Sequence, residues 1–136
     1  ALEDGSALEK FREMVEGQGG NPDITKDYSL LPQSSICMEL TAHEEGYIQS
    51  VDALRAGLAS QHTGAGRERK EDDIDLSAGL VFSKKRGDFV ARGDIICKIY
   101  GNDVKKTEKA LEEVENAVKI GNKKPLKDAL IKKIIR

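Results

Sequence analysis

Apolar positions along this chain follow two rhythms, a helical one near each end and an alternating one between. Leu8, Phe11 and Val15 recur at helical spacing with Ala7 and Met14 beside them, and Ser6 with Glu9 has the form of a capping box, so the pattern predicts a helix over Ser6–Gly17. Gly17, Gly19 and Gly20, then Asn21-Pro22-Asp23, predict a stop and a loop running to about Pro32. Ile36, Met38 and Leu40 alternate with Cys37, Glu39 and Thr41, which predicts a half-buried strand; His43-Glu44-Glu45-Gly46 turns the chain into a second strand through Tyr47, Ile48 and Val51, giving a hairpin. Asp52 caps a short helix through Leu54 and Leu58 to about Gln61, which Gly64 and Gly66 end.

The stretch from His62 to Tyr100 reads as a compact β unit, with strands expected near 74–76, 80–82, 89–91 and 95–100 and a basic turn at Lys84-Lys85-Arg86-Gly87. Its pairs Gly87-Asp88 and Gly93-Asp94 bracket Phe89 and Val90, so the backbone should reverse twice around one small apolar anchor. Asn102 or Asp103 then caps a regular helix lined by Val104, Thr107, Leu111, Val114 and Val118, with Ala110 and Ala117 beside them, and Gly121 is expected to end it. For 126–136 a strand is preferred to a helix.

Length changes the picture little: 136 residues suit a core that needs no metal or disulfide. Composition says more. Hydrophobic content of 38% against 34% charged residues predicts a thin core, and three Phe, three Tyr and no Trp argue against stacking platforms for single-stranded nucleic acid or sugars. Cys37 and Cys97 both lie in apolar alternations and are expected to be buried free thiols of a reducing cytosol. No apolar run approaches a membrane span, so a soluble, cytoplasmic protein is expected; the missing initial Met suggests a piece of something longer. The last sixteen residues, 121–136, carry six bases against one acid, but Leu130, Ile131, Ile134 and Ile135 interleave with them, which reads as a half-buried element with snorkelling lysines and not as a nucleic-acid or membrane contact.

Candidate chemistry is sparse. Neither His43 nor His62 has a paired Cys or His at ligand spacing, so no zinc site is expected, and both read as turn or surface histidines. Gly64-Ala65-Gly66-Arg67 could cradle a phosphate, yet it follows a helix and precedes an expected strand, the reverse of phosphate loops that open a helix; a structural turn is the expectation. Glu71, Asp72, Asp73 and Asp75 lack calcium-loop spacing and follow Arg67, Arg69 and Lys70, so they read as a solvated loop.

Five motifs in order carry a resemblance. Gly5-Ser6-Ala7-Leu8-Glu9-Lys10-Phe11 with Gln18-Gly19-Gly20, then Glu45-Gly46-Tyr47-Ile48, Gly64-Ala65-Gly66-Arg67, Asp72-Asp73-Ile74-Asp75-Leu76 with Gly79, and Gly87-Asp88-Phe89-Val90 resemble the carboxy-terminal third of pyrimidine-nucleoside phosphorylases and the similar thymidine phosphorylases; the ending 129–135 resembles that family's end. The resemblance implies an α+β fold, a β-hammerhead of short antiparallel hairpins related to barrel-sandwich hybrids with flanking helices. It implies that residues 1–32 are a helix and linker belonging to the larger lobe of a parent enzyme and that 33–136 form its carboxy-terminal domain. It also implies phosphorolysis of uridine, thymidine or deoxyuridine by a cytoplasmic, homodimeric parent, with phosphate as co-substrate and potassium bound upstream.

The family's phosphate-binding run, its base-gripping arginine, serine and lysine, and its potassium segment have no match here, so the resemblance implies no catalytic, cofactor or metal residue in this chain and an inactive fragment. It makes Gly64, Gly66 and Arg67 part of a loop facing the cleft between lobes, with Arg67 helping to hold the closed state. Two rivals remain at this point: a protein interaction module, and a biotinyl- or lipoyl-like carrier with Lys84 or Lys85 at a hairpin tip, although Phe82-Ser83-Lys84-Lys85-Arg86-Gly87 lacks the Met or Asp that flanks a carrier lysine.

Overall fold

The computed structural model describes residues 1–127 together with Ile131, Lys133 and Ile134. Its elements are helix α1 (Ser6–Gly17), strands β1 (Ile36–Thr41) and β2 (Gly46–Val51), helix α2 (Ala53–Ser60), strands β3 (Gly79–Phe82), β4 (Phe89–Val90) and β5 (Ile95–Gly101), helix α3 (Val104–Ala117) and strand β6 (Val118–Gly121). The chain is α+β and divides into two compact units, Ala1–Gln33 and Ser34–Arg136. The expected strand over 126–136 falls largely outside the described residues.

In the first unit α1 has the predicted span but a different cap. Asp4, not Ser6, stops the amino terminus: its Oδ1 accepts from the Ser6 amide at 2.9 Å and from the Ser6 hydroxyl at 2.7 Å. Glu9 is drawn away from capping by Arg12, whose guanidinium donates to it at 2.7 Å. At the other end the Gly20 amide returns to the Val15 carbonyl at 2.9 Å with Gly19 left-handed at φ 78°, the glycine stop that the sequence announced. Two short 3-10 turns, Pro22–Thr25 and Tyr28–Leu30, follow, opened by the carboxamide of Asn21 and the carboxylate of Asp27. α1 has no buried residue, and Leu8, Phe11 and Met14 keep about half their surface exposed.

In the second unit one turn is used twice. In Lys85-Arg86-Gly87-Asp88 the Asp88 amide donates to the Lys85 carbonyl at 3.0 Å, and the Asp88 carboxylate accepts from the Lys85 amide at 2.8 Å. Ala91-Arg92-Gly93-Asp94 repeats both bonds, at 3.0 and 3.2 Å. Gly87 and Gly93 sit at φ 93° and 91°, the third position of a type II turn, where a side chain would be strained. Between the turns Val90 is wholly buried and Phe89 is half exposed, meeting Tyr47 edge to face with ring centroids 5.2 Å apart. The double reversal around an apolar anchor is therefore present.

Two antiparallel sheets of three strands result, β1-β5-β3 and β4-β2-β6. In the first, β1 pairs with β5 from Ile36 opposite Gly101 to Thr41 opposite Ile95, and Leu80 faces Ile99 from the other side. The expected β1–β2 hairpin does not form. Buried Ala42 instead bonds to the second glycine turn, its amide to the Asp94 carbonyl at 2.9 Å and its carbonyl from the Gly93 amide at 2.7 Å, and the chain passes into the other sheet. There β2 lies between β4 and β6, with Tyr47 opposite both Phe89 and Gly121. Gly46 must be glycine here, since a Cβ would lie 2.8 Å from Ile120 Cγ2 and 2.9 Å from the Gly121 carbonyl oxygen.

Helices α2 and α3 pack on each other, and α3 covers β1 and β5. The core they close is made of small and branched side chains: Leu40, Ile48, Ala59, Val90, Ile96, Cys97, Ile99, Ala110 and Val114. α3 buries Thr107, Ala110, Val114 and Ala117 as its pattern predicts, whereas Val104 stays exposed. The helix stops four residues sooner than expected, because Val118 turns extended and opens β6. α2 forms as expected, capped by Asp52, and packs through Ala59 with Leu54 and Leu58 outward. Two further expectations fail. Residues 74–76 form no strand, and Ile74 and Leu76 are exposed. Cys37 is exposed, on the outer face of β1, while Cys97 is buried.

Candidate functional site

The Gly64–Arg67 loop is prepared by the helix before it. Asp52 caps α2 by accepting from the Arg55 amide at 3.1 Å, and after Ser60 the helix widens into a π turn over Gln61–Ala65 in which Gly64 adopts φ 104°. π turns are rare and recur at functional positions. Buried Thr63 donates its hydroxyl to the Ser60 carbonyl at 2.7 Å, which seals the inner side of the turn.

From this base the loop is tied at successive points. The Asp75 amide donates to the Gly64 carbonyl at 2.9 Å. The Gln61 side-chain amide donates to the Arg67 carbonyl, closing the loop on itself. The Asp72 carboxylate accepts from the amides of Glu68 and Arg69 at 3.1 and 2.7 Å. Gly66 is extended, and a Cβ there would come within 3.2 Å of Gln61 Cγ. Residues 67–70 stand exposed at the tip, Arg67 among them.

A cleft of about 310 Å³ lies beside the loop, lined by Gln61, His62, Glu68, Arg69, Asp72, Asp73 and Lys106 with the backbone of Gly64 and Gly66. Its walls mix both signs of charge, so no single ionic class of ligand is selected by charge alone. Arg67 is not among its lining residues. The structure thus places Gly64 and Gly66 in the cleft wall and leaves Arg67 exposed on the same loop.

His62 is the residue that sequence reasoning missed. Its sequence context reads as a turn or surface histidine, but its side chain is only 19% exposed, and its Nδ1 lies 2.7 Å from Glu113 Oε2 on α3. Its Nε2 faces Glu68 Oε1 at 3.8 Å. The signal existed only as two facts far apart: a histidine two residues before a glycine helix stop, and a glutamate within the next helix, α3. His43, by contrast, is exposed beside Glu44.

Two of the acids after the loop, Asp72 and Asp75, have structural partners. Asp75 is held below the usual carboxylate range, first by the Ser77 hydroxyl at 2.7 Å and then by the Asn102 side-chain amide at 2.7 Å. Asp72 serves the turn as above. Among the described residues no three His, Cys, Asp or Glu side chains come together as a metal site. Lys84, a possible carrier lysine, folds back to Asp94 at 3.4 Å and to the Phe89 carbonyl at 3.4 Å. Asp94 is lowered first by the Ala91 amide and then by Lys84. Among the described residues no helix is long and apolar enough to cross a membrane.

Comparison with known proteins agrees with the motif reading. Residues 47–121, which include β2, the loop, the cleft and β3 to β6, match the family model described as pyrimidine nucleoside phosphorylase C-terminal domain. The chain is 44% identical over 102 residues to a pyrimidine-nucleoside phosphorylase of Geobacillus stearothermophilus, covering 75% of this chain and 24% of the relative. It is 40% identical over 118 residues to that of Staphylococcus haemolyticus, covering 82% and 27%. With the Bacillus subtilis protein of the same name it shares 40% over 101 residues, covering 74% and 23%. The chain spans about a quarter of the length of these relatives.

Proposed function

The chain belongs to the pyrimidine nucleoside phosphorylase C-terminal domain family, and from that premise we propose that it is the carboxy-terminal part of a longer enzyme and is itself non-catalytic. The whole enzyme would join phosphate to the pentose of uridine, thymidine or deoxyuridine and release the free pyrimidine. Phosphate attacks C1′ while positive charge develops on the sugar, and cationic groups of the upstream part stabilise the departing pyrimidine anion. Phosphate is a co-substrate, potassium binds upstream, and the parent is a cytoplasmic homodimer. In this reading the first unit, with its exposed Leu8, Phe11 and Met14, belongs to the larger lobe, and the two three-stranded sheets are the hammerhead related to barrel-sandwich hybrids.

The role proposed for this chain is to hold the 61–72 loop on a rigid base so that Arg67 meets the other lobe when the enzyme closes. One observation carries it: the matched region contains a loop fixed by backbone and side-chain bonds on its inner side while residues 67–70 stand free of the core. Fixed loops with an exposed cation suit a clamp, because the ordering entropy has been met before the contact forms. Of the two candidate carrier lysines Lys84 is drawn to Asp94, and neither the carrier reading nor the interaction-module reading has an observation that favours it over the family.

Arg67→Ala in the longer polypeptide tests the role. Turnover of uridine with phosphate should fall about tenfold, as for loss of a charge-assisted contact. Because the side chain is exposed, stability should change by less than about 0.5 kcal/mol. An unchanged turnover rate contradicts the clamp.

A further inference from the structure

The contact between His62 and Glu113 has no part in the core and none in the turn chemistry of the loop, yet it joins the loop's base to a different helix. Nδ1 of His62 and Oε2 of Glu113 are 2.7 Å apart, and an ionised carboxylate can only accept, so Nδ1 carries the hydrogen. The bond is half-buried, with 19% of the histidine side chain and 29% of the glutamate exposed. His62 follows Gln61, whose side-chain amide holds the Arg67 carbonyl. Fixing His62 to α3 therefore fixes the backbone from which Gln61 reaches the tip, and the chain of bonds runs from Glu113 through His62 and Gln61 to Arg67.

We propose that His62 and Glu113 form a latch that sets the 61–72 loop against α3 in the orientation needed for closure, which makes His62 a positioning residue for the phosphorolysis proposed above. The inference rests on that reading of the loop. Geometry favours a positioning device over a tie for stability. Beneath the latch the loop is already anchored by Thr63 to Ser60 and by Asp75 to Gly64. None of those inner bonds reaches α3; the latch is the side-chain tie that does. Glu68 at 3.8 Å from Nε2 adds a second carboxylate on the tip side, so the imidazole stands between the helix and the tip.

The test combines amide exchange on the 136-residue chain with kinetics on the longer polypeptide. His62→Leu should raise exchange about tenfold at residues 66–70 and leave the amides of β1 and β5 unchanged. Glu113→Ala should do the same, and since Ala suits a helix this variant folds even if His62→Leu does not. His62→Asn, whose side-chain N–H can stand where Nδ1–H does, should stay near the parent value. In the longer polypeptide His62→Leu should lower kcat about five- to tenfold with KM for uridine changed less than about twofold, and His62→Asn should restore most of it. Unchanged exchange at 66–70, or an equal rise throughout the sheets, overturns the latch. Arg67→Ala run alongside separates the two ideas. If it lowers turnover while His62→Leu does not, the clamp stands and the latch falls; if it leaves turnover unchanged, the clamp itself fails and the latch loses its catalytic role.

Discussion

At Gly101 the absence of one side chain lets α3 sit down on β5. A Cβ there would lie 2.4 Å from the Thr107 hydroxyl, and Thr107 is wholly buried with that hydroxyl donating to the Asp103 carbonyl at 2.7 Å. Gly101→Ala should cost about 1–3 kcal/mol by overpacking, read from chemical denaturation, and Gly101→Ala with Thr107→Ala should recover part of it. Additive losses would show that the two residues do not oppose each other. The thiols give a second prediction. Burial pushes Cys97 from an ordinary 9.0 up to about 11, while Cys37 is exposed. A raised thiol keeps its proton in the folded state, so its stabilising contribution is complete below about pH 9 and is lost as pH climbs through about 11. In native protein at pH 8 one equivalent of maleimide should label Cys37, with Cys97 reacting only after unfolding. Equal labelling of both would contradict the burial. Both cysteines looked alike in sequence because each stands among apolar neighbours. Strand parity separates them, since Cys37 lies opposite in phase to Ile36, Met38 and Leu40.

Between elements, Asn102 is a knot. Its Oδ1 accepts from the Ser35 amide at 2.7 Å and the Ser35 hydroxyl at 2.9 Å, and its amide donates to Asp75 at 2.7 Å and Ser77 at 3.0 Å. It joins the start of β1, the end of β5 and the segment after the loop. Asn102→Ala should cost about 1–2 kcal/mol at pH 7. Because the Ser77 hydroxyl and Asn102 hold Asp75 below its ordinary range, that contribution is present above the ordinary carboxylate range and is lost as pH falls through the lowered folded value. The difference between the two proteins should therefore shrink in acid titrations of stability; a constant difference would assign the loss to Ser35 alone. The same scale shows why elements were legible unevenly. The helix cores, the glycine stop of α1, the Asp52 cap of α2 and the paired glycine turns follow from local chemistry. The β1–β2 hairpin failed because strand pairing is decided by Ala42 bonding to a turn some fifty residues on, which no local pattern contains. β6 was hidden because Val118 continues the helical period of α3, and only Val118 and Ile120 taken as an alternating pair would have marked it.

Across the whole molecule, the family was legible through ordered motifs, while the cleft was not. Gly64, Gly66 and Arg67 stood out as a glycine-rich stretch, and the structure keeps them in one loop. The partner on α3 lies 51 positions from His62, beyond β3, β4 and β5, so the His62–Glu113 contact depends on packing alone. Central to the account is the proposal that this chain serves a phosphorylase without performing the chemistry. A phosphate-dependent assay of uridine and thymidine cleavage, run on the purified 136-residue chain beside the proposed longer polypeptide, tests this most directly. The account predicts product from the longer polypeptide and none from the chain alone. Phosphorolysis by the 136 residues alone would contradict it, and so would a well-folded longer polypeptide that leaves both nucleosides intact.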